Sequence, residues 1–151
     1  NAHQFFRALL NGDQSLIDLF VRAGFNIHIE DEHGTPPILI ALKKGYTVIS
    51  KILLNAGADV NARDKRGLTP ILIACGKPTH GYKTIAEMLI KKGANINIRD
   101  RLGYTPLLLA LSGGTVEIAE MLIEKGADTS VSTRMEKLSC LWPKIWGIPG
   151  L

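Results

Sequence analysis

Two series of glycines run through this chain in step. Gly12, Gly45, Gly81 and Gly114 recur at intervals of 33, 36 and 33 residues, and Gly24, Gly57, Gly93 and Gly126 repeat the same intervals. Self-similarity at such a period decides the architecture before any local reading does, because each copy must be one supersecondary unit of a stacked array. Between the paired glycines lie "DQSLIDLFVRA", "YTVISKILLNA", "YKTIAEMLIKK" and "TVEIAEMLIEK". Each spaces its apolar residues three and four apart, the pattern of one amphipathic helix, and ends on a glycine suited to the positive φ of a C-cap. The segments "TPILIAC" and "TPLLLAL" open with Thr then Pro. That order predicts a hydroxyl N-cap followed by a ring whose φ is already helical, so a second, shorter helix should precede each long one.

The stretches joining these helices are equally regular: "GFNIHIEDEHG", "GADVNARDKRG" and "GANINIRDRLG". Alternating strand-like residues close on Asp-x-x-Gly, where the aspartate bonds nearby backbone and the glycine accepts positive φ. Each unit therefore reads turn, helix, loop, helix. A unit this small cannot bury its apolar face alone, so neighbours must stack and the ends need caps. With 46% hydrophobic but only 6% aromatic residues, the layers should be filled by small aliphatic side chains.

These residues resemble the ankyrin-repeat family over roughly residues 1 to 133. That family writes a Thr-Pro-Leu-His-x-Ala helix start and a repeat of about 33 residues. "TPILIA", "TPLLLA", "GADVNARDKRG" and "GANINIRDRLG" stand in the corresponding order here. The resemblance implies an all-α repeat solenoid of about four stacked helix-loop-helix units with short β-hairpin fingers. The units are about 1–34, 35–67, 68–103 and 104–136, followed by a non-repeat segment, 137–151. Departures from the family pattern are specific. The motif histidine is replaced by Leu39, Leu72 and Leu108, and the loop histidine by Tyr46, Tyr82 and Thr115, which predicts that a polar clasp has given way to apolar packing. In the second unit Pro36 precedes Pro37, so no side-chain oxygen can cap that helix, at a cost of ~0.5–2 kcal/mol. The third unit carries three extra residues within "GKPTHGYK".

Catalytic signatures are missing from the sequence: it holds no Gly-rich phosphate loop, no Gly-x-Ser-x-Gly elbow and no His-Glu-x-x-His helix. His28, His33 and His80 are expected as solvated imidazoles in loops, without the partners a metal ligand needs. Glu30, Asp31 and Glu32 stand on an exposed fingertip, where nothing desolvates an acid/base pair. Cys75 falls on the apolar face of a short helix and reads as an inert thiol. Two cysteines, Cys75 and Cys140, make neither a disulfide framework nor a zinc site, so a reducing compartment, the cytosol, is expected. No apolar run approaches the ~20 residues of a membrane helix, and the start "NAHQFFRALLNGD" lacks the parts of a signal peptide. A formal charge of +4, from 18 basic and 14 acidic residues, falls short of a dedicated nucleic-acid binder. No cofactor, metal or catalytic residue is expected.

Function is therefore expected at the surface, as a non-enzymatic protein–protein interaction module or scaffold that is monomeric when free. Rotation between stacked units creates an extended concave face on which such solenoids bind. The resemblance further implies that partners meet the fingertips and the exposed ends of the short helices. Carried onto this sequence, those positions are Arg63, Lys65, Arg66 and Leu68, then Arg99, Arg101, Leu102 and Tyr104, with Lys43, Lys44 and Lys77 beside them. The strip is basic with apolar inserts, and its expected partner is another protein with an acidic and apolar segment. The first finger has the opposite sign. Nucleic acid is the weaker alternative, since no aromatic stacking platform accompanies the charge.

Three further expectations concern the ends and a modification. The stretch "LSCLWPKIWGIPGL" is read as a truncated cap in which Trp142 and Trp146 cover the last layer; a docking peptide and a disordered tail are its alternatives. A start inside a repeat at "NAHQFF" suggests a regulatory or targeting domain of a larger enzyme or secreted effector, which would act in a host cytosol. Finally, "LLNAGADVN" resembles the pattern read by asparaginyl hydroxylases on ankyrin repeats, with Asn61 the candidate and Asn97 in the looser "LIKKGANIN".

Overall fold

The computed structural model describes residues 2–77 and 80–127. These contain eight helices: α1 (Ala2–Asn11), α2 (Gln14–Arg22), α3 (Pro37–Lys44), α4 (Thr47–Asn55), α5 (Pro70–Cys75), α6 (His80–Lys91), α7 (Pro106–Ser112) and α8 (Val116–Glu124). Each odd helix packs on the even helix that follows it, and the odd helices also pack on one another in sequence, as do the even ones. Two parallel rows of helices, joined rung by rung, make a solenoid whose layers repeat with the sequence period.

Periodicity explains the core. Leu53, Leu89 and Leu122 occupy one register in α4, α6 and α8, and all are 0% exposed. The odd helices are buried almost all round, from Pro37 to Leu42 in α3 and from Pro70 to Cys75 in α5, because each lies between an even helix and two odd neighbours. Leu39, Leu72 and Leu108, in the motif-histidine position, are interior side chains. A shorter first helix holds for three of the pairs; in the first pair α1 has 10 residues and α2 has 9.

Four local expectations are revised. Gly81, expected at a turn, lies inside α6, because the longer third unit starts that helix at His80 and extends it to 12 residues. A Cβ on Gly81 would stand 2.7 Å from Thr47 Cγ2, so close approach of α6 to the start of α4 is what excludes a larger residue. The Thr-Pro starts also differ. Thr105 Oγ1 accepts from the Leu108 amide at 3.2 Å, whereas Thr69 Oγ1 is buried with no hydrogen-bond partner among the described residues. The two N-caps differ in φ, −114° at Thr69 against −94° at Thr105. Third, the loop tyrosines retain a polar clasp. The Tyr46 hydroxyl donates to the Leu10 carbonyl at 3.2 Å, and the Tyr82 hydroxyl donates to the Leu42 carbonyl. A phenol is long enough to reach back one layer to a carbonyl near the end of the preceding odd helix, where intrahelical partners run out. Only Thr115 bonds within its own layer, to the Ala110 carbonyl at 2.9 Å.

The fourth concerns the fingers, which have no strands among the described residues. Each is a turn in which the glycine amide donates to the aspartate carbonyl at 3.0 Å, closed by one further backbone bond, Asp31 N–H to the Thr35 carbonyl at 3.1 Å, Asp64 to Leu68 at 3.2 Å and Asp100 to Tyr104 at 3.0 Å. The expected cap of Trp142 and Trp146, the whole segment 137–151 and Cys140 lie outside the described residues.

Candidate interaction surface

One chemical device builds all three fingertips. Asp31 Oδ1 accepts from the amides of His33 and Thr35 at 2.9 and 2.8 Å; Asp64 Oδ1 accepts from Arg66 and Leu68, both at 2.9 Å; Asp100 Oδ1 accepts from Leu102 and Tyr104, both at 2.9 Å. The glycine three residues later turns the chain at φ of 73°, 76° and 82° in Gly34, Gly67 and Gly103. A side chain there would pay for the left-handed backbone, so glycine is needed. The first and fourth positions of each turn are thus committed to geometry, and the two between them point outward: Glu32 and His33, Lys65 and Arg66, Arg101 and Leu102 are all exposed.

Contacts one period apart align the fingers. The Arg101 guanidinium donates to the carbonyl of Lys65, and its Cγ lies 4.0 Å from where a Cβ on Gly67 would be. Lys65 in turn lays its stem over the first finger, with Cε 3.4 Å from the corresponding point on Gly34 and the Glu30 carboxylate 3.8 Å from that point. Lower on the fingers, Asn61 Oδ1 accepts from the Asn95 amide at 2.8 Å. Fingers two and three therefore form one surface that leans toward the acidic first finger.

The residues expected to meet a partner divide into three groups. Arg63, Arg66, Arg99, Lys44 and Lys77 are exposed and make no ion pair among the described residues, and Leu102 is 73% exposed. Lys65 and Arg101 are exposed too, but part of each side chain is used in joining fingers. Lys43, Leu68 and Tyr104 differ from the expectation. The Lys43 ammonium is paired with Asp64, whose side chain is only 4% exposed. Burial alone pushes the Asp64 carboxyl up, but the bond from Lys43 and the amides of Leu68 and Arg66 outweigh it and hold the pKa below the usual carboxylate value. Leu68 and Tyr104 occupy one register, directly after the turn glycine, and both are half-buried rather than exposed anchors. Their amides face the turn aspartate, and the Leu68 side chain packs on the core.

Sequence reasoning missed a recess at the first finger. A cavity of about 590 Å³ opens between α1, the first fingertip and α3. Phe6, Leu10 and Ile40 form its apolar part and Glu30, Asp31 and Glu32 its acidic rim. The one available signal was Leu10, an apolar residue 51% exposed in an otherwise amphipathic helix. Cys75 does not reach this surface: it is buried, and burial pushes its thiol up to about 12, so it stays protonated. Among the described residues no three His, Cys, Asp or Glu side chains gather in a metal-holding set, and no helix is long and apolar enough to cross a membrane.

Compared with models of protein families, the chain matches that of ankyrin repeats (3 copies) over residues 5–100 and 80–133. No curated protein matches the sequence.

Proposed function

This chain belongs to the ankyrin-repeat family, whose members generally act as protein–protein interaction modules, and on that premise we propose that it binds a partner protein through its fingertips and the adjoining ends of the odd helices. The partner segment is acidic and apolar. The observation that carries this reading is the joining of fingers two and three through Arg101 and the Lys65 carbonyl, which gathers Arg63, Arg66, Arg99 and Leu102 although none of their side chains is needed to close a turn. Their fields overlap within the Debye length of ~8–10 Å, so an acidic segment meets one patch. Leu102 supplies apolar contact area, since charge alone mainly sets encounter rate and specificity. The domain itself is non-enzymatic and works in the cytosol, where its buried thiol stays reduced. Asn61 is exposed and is the proposed site of asparaginyl hydroxylation, which mass spectrometry would register as one added oxygen; an unchanged mass after incubation with such an enzyme rejects it.

Parallel captures from the native cell test the binding reading. The bait is the protein itself, a Lys65→Glu/Arg66→Glu variant, and a control with Lys91→Glu/Lys125→Glu, which reverses two exposed charges at the ends of α6 and α8. A partner should be retained by the protein and the control and lost from the fingertip variant. Equal retention by all three baits rejects the fingertip assignment.

A further inference from the structure

Charge changes sign along the fingers, and the apolar recess sits at the negative end. Among the described residues lining that recess, Arg7 alone carries a fixed positive charge, against Glu30, Asp31 and Glu32. His33 Nε2 stands 3.5 Å from the Glu32 carboxylate, and the three carboxylates outnumber Arg7 at the rim. Ile40 lines the recess, and the repeat period puts Ile73, which is buried, and Leu109, which is half-buried, in the same register of α5 and α7. Glu30 also lines a second hollow, of about 280 Å³, together with Asp59 and Arg63, so the first cation of the second finger's side stands beside the acidic end. Packed helices lie ~8–10 Å apart, which places the third finger ~16–20 Å from the first. An extended segment covers that span in about six residues at ~3.3 Å each.

Resting on the fingertip reading above, we infer that the partner segment is charge-polarised. A Leu- or Phe-class side chain next to Lys or Arg enters the recess between α1 and the first finger, and acidic residues about six positions away lie over fingers two and three. A cation there meets Glu30 and Glu32 while its apolar neighbour covers Phe6, Leu10 and Ile40, the pairing of anchor and complementary rim that gives an interface its specificity. A uniformly acidic segment would instead meet repulsion at the first finger.

Fluorescence anisotropy in low salt, where the Debye length exceeds ~10 Å, tests this with two labelled peptides of about twelve residues and identical composition. One carries Lys-Leu-Arg at one end and Asp-Glu-Asp at the other, separated by a neutral Ser/Thr spacer; the second interleaves the same residues. The block peptide should bind about tenfold tighter than the interleaved one. Glu30→Lys/Glu32→Lys and Lys65→Glu/Arg66→Glu should each weaken the block peptide by about tenfold. Asp31 is left intact because it closes the turn. Equal binding of the two peptides overturns the inference, as does failure of the block peptide to bind at about 1 mM. If first-finger reversal changes nothing while second-finger reversal still weakens binding, polarity is rejected and the fingertip reading survives. If neither reversal matters, both fall.

Discussion

The first and second fingers share a backbone and differ in almost everything attached to it. Asp31 and Asp64 accept the same two amides at nearly the same distances, and Gly34 and Gly67 turn at 73° and 76°. Between those fixed positions stand Glu32 and His33 in one turn, and Lys65 and Arg66 in the other. The second turn is also tied from two sides. Lys43 pairs with Asp64, and Arg101 reaches the Lys65 carbonyl from the third finger. In the first turn the register of Lys43 is occupied by Leu10, half exposed over the recess. The contrast separates two kinds of position: Asp and Gly hold the turn, whereas the pair between them carries charge at little structural cost.

That separation has an ordered set of consequences. Both fingers hang from the same layers, so the largest losses belong to the layers: Leu53→Ala, Leu89→Ala and Leu122→Ala should each cost about 2–5 kcal/mol in chemical denaturation. Values under about 0.5 kcal/mol, typical of surface sites, would mean that those leucines do not fill the layers. Next come the turn aspartates. Asp64→Ala removes two amide bonds and the Lys43 pair from a nearly buried site and should cost about 2–3 kcal/mol. Asp31→Ala loses only the amide bonds in a more open turn and should cost about 1–2 kcal/mol. An equal loss at the two sites would show that the lysine contributes nothing.

Lys43→Leu makes the second finger resemble the first. It should cost about 1–2 kcal/mol, because a largely buried carboxylate keeps only its amide donors. The pH dependence carries the same information. Asp64 has its folded pKa below the ordinary carboxylate value, so its contribution is fully present above that ordinary value and is lost as the pH falls through the folded one. The acid-side fall in stability of the parent protein should therefore be shallower in Lys43→Leu, and identical acid profiles would contradict the role given to the pair.

How much of this was readable beforehand follows from the range of each interaction. The glycine period and the Asp-x-x-Gly turns act within a few residues, and they led directly to the helix pairs and the fingertip positions. Gly81 was misread because spacing alone cannot say on which side of a glycine an insertion falls; here it lengthens α6. The burial of Leu68 and Tyr104 is not legible in the sequence, because a turn motif tells which amides bond the aspartate, not which way the next side chain leaves. The pair Lys43–Asp64 lies 21 residues apart, and Arg101 lies 36 from Lys65. Contacts of that reach depend on how layers rotate past one another, which no local pattern records. The recess was overlooked for the same reason, since it combines α1, a finger and α3.

The smallest expected change in stability accompanies the most direct test of the central claim, that Asp and Gly hold the finger while the two residues between them recognise the partner. Writing the first finger's pair into the second, Lys65→Glu with Arg66→His, keeps both turn-closing residues and the Lys65 backbone carbonyl that Arg101 uses. Denaturation should place this variant within about 0.5 kcal/mol of the parent. Surface plasmon resonance against the captured partner then gives the decisive number, the association rate. That rate should fall by about tenfold or more, and Lys91→Glu/Lys125→Glu should leave it unchanged. An association rate unaltered by the exchange, or lowered equally by the control, would contradict it.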